Sequence, residues 1–229
     1  DGATGYNKPL SVKGINVTAR PTAPKIKSIN YTNPLCFGDK ADSMVVILNR
    51  PLSDNESVTL ELEDQNTHIQ THKKYQGNYL VFKNVKPSKY KISILKAEYI
   101  NAKNQKIPSY SDGAAHSKTI TITAPEAVNL SLTKIQHSHC YGDSIGSIAY
   151  RVTGGTGSKT CYLVDEATAS IIKEQVNIEG SGVFNKLPAG KYQIYATDQN
   201  GCHSATIAQS ITSPNALLLQ VHTTDVTIY

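Results

Sequence analysis

Histidine and cysteine side chains able to bind a metal stand close together in the second half of this 229-residue sequence. His137 and His139 are two residues apart just before Cys140, and Cys202 is followed by His203. Residues two apart lie on the same face of a strand, so both histidines would point to one side near a thiol, and imidazole and thiolate are zinc ligands. Strong zinc sites use spaced ligand pairs such as two CxxC elements, which this sequence lacks. We therefore interpret the histidines as exposed strand residues and predict no metal.

A glycine-rich segment, residues 154–160, is superficially similar to a phosphate-binding loop. That loop requires a Gly directly before its Lys and a helix after it, which presents backbone donors to the phosphate. Here Ser158 precedes Lys159, and the residues that follow are typical of a strand. We predict a hairpin turn rather than a phosphate site.

Four aspartates lie in or beside predicted turns, namely Asp39, Asp42, Asp143 and Asp198. Their carboxylates are oxygen ligands of the kind calcium prefers. The sequence contains no dense acidic loop, so each Asp is interpreted as a turn cap and calcium is kept only as a candidate ligand. No nucleophile elbow, no Cys with an activating His and no facing carboxylate pair is evident, and we predict no catalytic residues, no cofactor and no enzyme activity.

Composition favours strands and limits the class of partner. Thirteen Tyr, one Met and no Trp accompany many Val, Ile and Thr residues, with no stretch of apolar residues at helical spacing. The net charge is only +5, from 23 Lys and Arg against 18 Asp and Glu, and three residues are Arg, so we predict no nucleic-acid partner. No apolar run reaches 18 residues, which predicts no membrane insertion.

The elements that would position these residues are repeated along the sequence. Three pairs of segments match each other: residues 35–39 with 139–143, residues 84–92 with 186–194, and residues 121–130 with 210–219. Apolar and polar residues alternate between turn residues, as in Val58–Glu63, which indicates strands with one buried face. The fold class is therefore predicted as all-β, with tandem immunoglobulin-like antiparallel β-sandwich repeats; a barrel of similar size is the alternative.

The repeats predict the domain boundaries. We assign residues 1–22 to the C-terminal tail of a preceding repeat, 23–125 to a diverged first unit, 126–214 to a second unit, and 215–229 to the first strand of a following repeat. A longer insertion near residues 97–118 distinguishes the first unit. Short linkers containing Pro24, Pro125 and Pro214 would join the units. We expect the sequence to be a piece of a longer protein.

The second unit closely resembles the SprB-type repeat of large adhesins of gliding Bacteroidetes. The resemblance rests on ordered elements that run the length of the unit: Cys140-x-Gly142 with Gly146, Val152 to Thr156, Leu187 to Tyr192, Thr197 to Cys202, and Ile211 to Pro214. The first unit keeps Cys36 to Asp39 and the segment 87–92, but lacks the Gly-Gly-Thr and Asn-Gly-Cys elements. The resemblance implies a surface filament exported by type IX secretion and used in adhesion or gliding.

The four cysteines, Cys36, Cys140, Cys161 and Cys202, allow three full pairings. Cys140 and Cys202 stand at the two Cys positions of the SprB-type repeat, and the resemblance therefore implies a disulfide between them. Cys36 and Cys161 are interpreted as buried free thiols, and the alternative is that all four cysteines are reduced. Asp42-Ser43-Met44 and Asp143-Ser144-Ile145 are similar to the O-glycosylation site of exported Bacteroidetes proteins, which makes Ser43 and Ser144 candidate sites in exposed turns.

Together these observations predict a structural and adhesive repeat segment of a large secreted cell-surface filament, a gliding-motility adhesin. Its partners would be neighbouring repeats of the same chain, an extracellular surface or polysaccharide, and the secretion and gliding machinery. The alternative is a carbohydrate-binding accessory module of a secreted glycan-degrading protein, which would need a platform of tyrosines. The candidates for that platform are Tyr75, Tyr79, Tyr99, Tyr110 and Tyr162.

Overall fold

The computed structural model describes residues 10–12, 15–17, 22–109 and 116–222. The chain divides into two compact units: Asp1–Pro34 with Asp39–Ala124, and Leu35–Gly38 with Pro125–Tyr229. Secondary structure in the described residues consists of β-strands paired antiparallel, and no helix among them is long and apolar enough to cross a membrane. The predicted all-β class is therefore confirmed.

Two short strands precede the sandwich of the first unit. Strands β1 (Leu10–Val12) and β2 (Ile15–Val17) pair antiparallel. They fall in the segment that we assign to a preceding repeat, an assignment that stays a prediction.

The first unit is a sandwich of two antiparallel sheets. Its strands are β3 (Ile26–Tyr31), β4 (Ala41–Leu48), β5 (Glu56–Asp64), β6 (Gln70–Gln76), β7 (Leu80–Val85), β8 (Ser88–Ile100), β9 (Lys106–Pro108) and β10 (Ser117–Ile122). One sheet has the order β3-β4-β7, and the other has the order β10-β8-β5-β6, with β9 paired to β8. The alternation that predicted these strands also fills the core, since Val58, Leu60 and Leu62 of β5 are all buried.

The second unit repeats this arrangement. Its strands are β11 (Asn129–Gln136), β12 (Gly146–Thr153), β13 (Lys159–Asp165), β14 (Ile171–Ile178), β15 (Ser181–Leu187), β16 (Gly190–Asp198) and β17 (Ile207–Ile211). The sheet orders are β11-β12-β15 and β14-β13-β16-β17, the same orders as in the first unit without its extra strand β9. Its core contains Ile148, Tyr150 and Leu163 at no more than 1% exposure.

Local hydrogen bonds repeat as well as the strands. Tyr90 donates its hydroxyl proton to the carbonyl oxygen of Lys86 at 2.9 Å, and Tyr192 donates to Pro188 at 2.8 Å. Such a tyrosine corner closes the turn between the sheets of an immunoglobulin-like sandwich. Segments 84–92 and 186–194 are therefore similar in sequence because each builds a tyrosine corner.

The described part of the insertion in the first unit extends a strand. β8 continues to Ile100, and β9 folds back onto it through a turn in which the Asn101 side-chain oxygen accepts hydrogen bonds from the backbone N–H groups of Lys103 and Gln105. The insertion that we expected near residues 97–118 thus begins inside a strand, and its residues 110–115 lie outside the described residues.

The segment after the second unit has no regular secondary structure as far as it is described. Residues 212–222 form no strand, and Leu217, Leu218 and Leu219 are at least 90% exposed. A first strand needs a neighbouring strand to satisfy its backbone hydrogen-bonding groups, and none is provided for residues 215–222. Residues 223–229 lie outside the described residues, and the assignment of 215–229 to a following repeat stays a prediction.

Candidate functional site: the disulfide-bonded turn of the second unit

A tight turn follows β16 at one end of the second unit. The backbone N–H of Gly201 donates to the carbonyl oxygen of Asp198 at 3.0 Å, and that of Asp198 donates to Cys202 at 3.1 Å. Gly201 has a φ of +79°, in the left-handed region that favours glycine. The Asn-Gly-Cys element singled out in the sequence therefore builds this turn and presents Cys202.

The carboxylate of Asp198 organises the turn from inside. Its Oδ1 accepts hydrogen bonds from the backbone N–H groups of Asn200 and Cys202, both at 2.9 Å, and its Oδ2 accepts one from Thr156 at 2.8 Å. Asp198 is only 6% exposed. Burial by itself raises the pKa of Asp198, but the three backbone hydrogen bonds and the charge of Lys159 outweigh it and hold that pKa below its ordinary value. Asp198 thus acts as a structural link between this turn and the loop that contains Thr156.

Replacing Asp198 by Asn is expected to lower the free energy of unfolding of the second unit by about 2–3 kcal/mol, because hydrogen bonds to a charged acceptor are lost or weakened. The folded-state pKa lies below the unfolded value, so this contribution is present above the unfolded pKa and disappears as the pH falls through the folded one. Urea unfolding of wild type and Asp198→Asn from neutral pH to pH 3 should show the gap narrowing on acidification. A gap that stays constant with pH would contradict this assignment. The matched control is Asp165→Asn, a half-buried carboxylate at the end of β13 whose backbone hydrogen bonds come only from its own turn, at Ala167 and Thr168, and for which we expect a smaller change.

The glycine-rich loop lies against this turn and does not form a phosphate site. The backbone N–H of Gly155 donates to the carbonyl oxygen of Glu126 at 3.0 Å, and that of Thr156 donates to Asp198, so these donors are already used. The predicted hairpin is wrong. β12 pairs with β11 and β15, and β13 pairs with β14 and β16, so the loop crosses from one sheet to the other. Apolar and polar residues alternate in the segments before and after the loop, which correctly predicts two strands. Alternation does not show which strands pair with each other.

The disulfide joins Cys36 to Cys202, with a Cα–Cα distance of 5.5 Å and a sequence separation of 166. The implied Cys140–Cys202 pairing is therefore wrong, as is the interpretation of Cys36 as a free thiol. Although Leu35–Gly38 stands between β3 and β4 in the sequence, it belongs to the second compact unit. There Cys36 packs against the second core, and Asn200 donates its side-chain N–H to the carbonyl oxygen of Leu35 at 3.4 Å.

The position of Cys140 explains why it cannot reach Cys202. The loop 137–145 lies at the end of the unit where the backbone N–H of Ser138 donates to Thr212, beside the start of β16. Cys202 follows the other end of β16. Nine residues of strand span about 25 Å, whereas disulfide-bonded Cα atoms lie about 4.4–6.8 Å apart.

The two remaining cysteines are free thiols of different kinds. Cys140 is exposed, whereas Cys161 on β13 is fully buried, as predicted, and burial raises the pKa of its thiol to about 12. The thiolate is the reactive form, so Cys161 has neither the access nor the ionisation that alkylation requires.

We expect iodoacetamide at pH 8 to modify one thiol of the folded chain of residues 1–229, Cys140, and to reach Cys161 only after unfolding. Intact-mass measurement before and after denaturation distinguishes the two sites. The Cys140→Ser variant should take up no label until denaturant is added. Two labels on the native chain would contradict the burial of Cys161.

The histidines and cysteines considered as zinc ligands do not come together in the structure. His137 and His139 follow β11 in a loop and are not strand residues, and the Nδ1 atom of His137 accepts a hydrogen bond from the backbone N–H of Thr212 at 3.1 Å. His203 adjoins Cys202 at the opposite end of the unit from Cys140. Within the described residues, no group of three or more His, Cys, Asp or Glu side chains is arranged to hold a metal ion.

The two candidate glycosylation serines differ in position. Ser144 lies exposed in the loop before β12, as expected. Ser43 lies half-buried within β4, opposite Lys83, and not in an exposed turn. Met44 pairs with Phe82 on β7, and Ile148 pairs with Phe184 on β15, so Met44 and Ile148 are equivalent positions. Ser43 therefore corresponds to Ser147 rather than to Ser144. Modification of either serine stays a prediction.

Comparisons with known proteins identify no family. No protein-family description matches the sequence, and no curated protein matches it. Among solved structures, the fibronectin(III)-like modules of Clostridium thermocellum CbhA are 12% identical with a TM-score of 0.35, covering 86% of this chain and 100% of that one. A two-domain fibronectin type III segment of chicken tenascin is 12% identical with a TM-score of 0.30, covering 82% and 98%. The FN1-FN3 domains of chicken CNTN1 are 13% identical with a TM-score of 0.32, covering 86% and 70%.

The class of protein follows from the strand order of the chain itself. Each unit is an immunoglobulin-like antiparallel β-sandwich of three plus four main strands, and the two occur in tandem. Domains of this class are common in extracellular and cell-surface proteins, and the disulfide is compatible with that location.

Proposed function

We propose that this chain is a structural and adhesive segment of a large secreted bacterial surface filament, built from tandem immunoglobulin-like units. The observation that carries the proposal is the repetition itself: two units share sheet order, tyrosine corner and turn positions. What repeats is core and turn, as expected for a protein whose work is reach and presentation of a surface.

The disulfide supports display outside the cell. Disulfides form and persist in oxidising compartments and are rare in the cytosol. Cys36 and Cys202 are far apart in sequence but close in the fold, as expected for a bond formed on a folded chain.

The finer assignment is an SprB-type gliding adhesin of Bacteroidetes, exported by type IX secretion. It rests on the ordered elements of the second unit. Several of them build defined local structures: Gly154 and Gly155 in the crossing loop, Tyr192 in the corner, and Cys202 in the turn. Neighbouring repeats and an extracellular surface or polysaccharide are the partners that this role requires.

Surface display is tested with an antibody raised against the full chain. Intact, unpermeabilised cells of the source bacterium should bind it, and external protease should remove the signal while a cytoplasmic marker survives. Labelling only after permeabilisation would overturn the proposal. Deletion of the gene should then reduce cell spreading on a solid surface if the gliding assignment is correct, and unchanged spreading would reject that finer assignment alone.

One observation favours the alternative of a glycan-binding module. Tyr162 on β13 and Tyr195 on β16 are cross-strand partners whose rings stack at 4.8 Å, and both are half-buried on the face away from the core. Aromatic rings on an outer sheet face are a platform suited to a sugar ring. Of the other platform candidates, Tyr75 donates its hydroxyl proton to the carbonyl oxygen of Val81, and Tyr110 lies outside the described residues.

The alternative predicts saturable glycan binding that is lost in Tyr162→Ala. Isothermal titration with soluble polysaccharides should detect it, and the matched control is Tyr79→Ala, which removes a tyrosine that is 78% exposed in the first unit. Binding that survives Tyr162→Ala, or no binding to the wild type, would reject this platform.

A further inference from the structure

Cys140, an exposed free thiol, and Cys36, which is disulfide-bonded, stand in corresponding segments of the repeated sequence. The segments Cys36–Asp39 and Cys140–Asp143 share the order Cys, aromatic, Gly, Asp. Their glycines both adopt left-handed backbone, with φ of +85° at Gly38 and +79° at Gly142. The aromatic side chains are equally exposed, at 66% for Phe37 and 67% for Tyr141.

Each loop is also anchored in the same way to the residues by which the chain leaves its unit. In the first unit, the Asn33 side-chain oxygen accepts a hydrogen bond from the backbone N–H of Thr123 at 3.1 Å. In the second, Nδ1 of His137 accepts one from Thr212, also at 3.1 Å. Asn33 and His137 stand three residues before their cysteines, and Thr123 and Thr212 stand two residues before Pro125 and Pro214. Both cysteines are therefore set at the same position relative to the exit of the chain.

The bond that Cys36 makes identifies the partner that such a cysteine takes. Cys36 is bonded to the Asn200-Gly201-Cys202 turn, in the unit that begins at Pro125. Cys140 is related to Pro214 as Cys36 is to Pro125. The Asn-Gly-Cys turn of its own unit lies at the opposite end of that unit and is already disulfide-bonded. The first unit has no cysteine on β8 or on the turn after it.

We propose that Cys140 is one half of a second disulfide, whose other half is the cysteine of an Asn-Gly-Cys turn in a unit following Pro214. Each unit of this type would receive a bond through that turn and offer one through its Cys-x-Gly loop, so that the covalent links propagate from unit to unit. This inference rests on the proposed function, since it requires a following repeat and an oxidising compartment.

Formation of the bond is a thiol–disulfide exchange with a disulfide oxidant, such as oxidised glutathione or an oxidised thiol oxidoreductase. The thiolate of Cys140 attacks one sulfur of the oxidant, forms a mixed disulfide and releases one oxidant thiolate. The thiolate of the incoming Asn-Gly-Cys cysteine then attacks the Cys140 sulfur and releases the second. Two protein thiols lose two electrons and two protons, and the S–S bond of the oxidant is reduced to two thiols.

The direct test is a disulfide map of the native protein isolated from its cells, alkylated before unfolding and digested with trypsin without reductant. The tryptic peptide 135–151 should be recovered crosslinked to a peptide that contains Asn-Gly-Cys from outside residues 1–229. Recovery of peptide 135–151 with an alkylated Cys140, or joined to any other sequence, would overturn the proposal.

A designed chain tests the same point independently of the native source. Residues 1–213 are followed by a second copy of residues 125–222, which carries Cys140→Ser so that a single Cys140 remains. After refolding with oxidised and reduced glutathione, Cys140 should be crosslinked to the appended Asn-Gly-Cys cysteine and should lose its reactivity towards iodoacetamide. The two Asn-Gly-Cys peptides have different C-terminal residues, so mass spectrometry distinguishes them.

One disulfide and one buried thiol of the designed chain report on folding. The Cys36–Cys202 bond should remain intact, and the buried Cys161 of the appended copy should resist alkylation. If both conditions hold while Cys140 and the appended cysteine are both alkylated, the proposal is wrong. If the appended copy fails to fold, the native disulfide map decides. A chain with Cys140→Ser in both copies is the matched control, in which the appended cysteine should be alkylated.

Discussion

Cys36→Ser is expected to lower the free energy of unfolding of the second unit by about 3–5 kcal/mol. The disulfide closes a separation of 166 residues, for which loop-closure entropy alone corresponds to about 5 kcal/mol, and removal of native disulfides commonly costs about 2–5 kcal/mol. Cys36 also packs against the core of that unit, so its loss frees residues 35–38 from their packing. Calorimetry with and without reductant measures the effect.

Cys140→Ser is the matched control for this prediction. It removes an exposed, unbonded cysteine from the corresponding loop, and we expect a change within about 0.5 kcal/mol, as for ordinary surface substitutions. Reductant should destabilise the wild type and Cys140→Ser equally and should leave Cys36→Ser unchanged. A wild type whose melting does not respond to full reduction would show that the bond contributes nothing to stability.

Gly154→Ala is expected to destabilise the second unit by about 2–5 kcal/mol, through backbone strain of about 1–2 kcal/mol together with overpacking of about 1–3 kcal/mol. Gly154 has a φ of +70°, and a Cβ built there would lie 1.9 Å from the carbonyl oxygen of Ala127. The carbonyl oxygen of Ala127 is a backbone atom and cannot rotate away as a flexible side chain could, so the loop between β12 and β13 must move. Urea unfolding, monitored by tyrosine fluorescence, gives the difference.

Gly201→Ala separates the two contributions. Gly201 has a similar φ of +79°, but a Cβ there meets nothing within 4 Å. Its replacement should therefore cost only the conformational part, about 1–2 kcal/mol. Equal losses for the two variants would mean that the close approach to Ala127 carries no energetic weight.

Much of the fold could be predicted because its signals are local. Alternation in β5 and β12 records which side chains are buried, and period two is a property of any strand with one solvent face. The tyrosine corners at Tyr90 and Tyr192 lie within matched segments, since the hydroxyl and its acceptor are four residues apart. The boundary at Pro125 is likewise a local feature of the sequence.

The candidate site was harder to predict because its contacts join residues far apart in sequence. Asp198 was interpreted as a turn cap, and it does cap its own turn through Asn200 and Cys202. Its bond to Thr156 spans 42 residues, and no pattern within either segment signals it. A glycine loop and an aspartate that face each other become visible only once β12 and β13 are placed in different sheets.

By itself, the sequence determined that this protein is a tandem array of all-β units, because strand periodicity and repeated turn residues are encoded within short segments. Only the tertiary structure decided the covalent pairing. Four cysteines allow three full pairings, and the SprB-type resemblance instead implied a single bond between Cys140 and Cys202, with Cys36 and Cys161 free. The choice of Cys36 follows from distance alone: β16 separates the Cys140 loop from Cys202 by the length of the sandwich, while the segment Leu35–Gly38 brings Cys36 within bonding range.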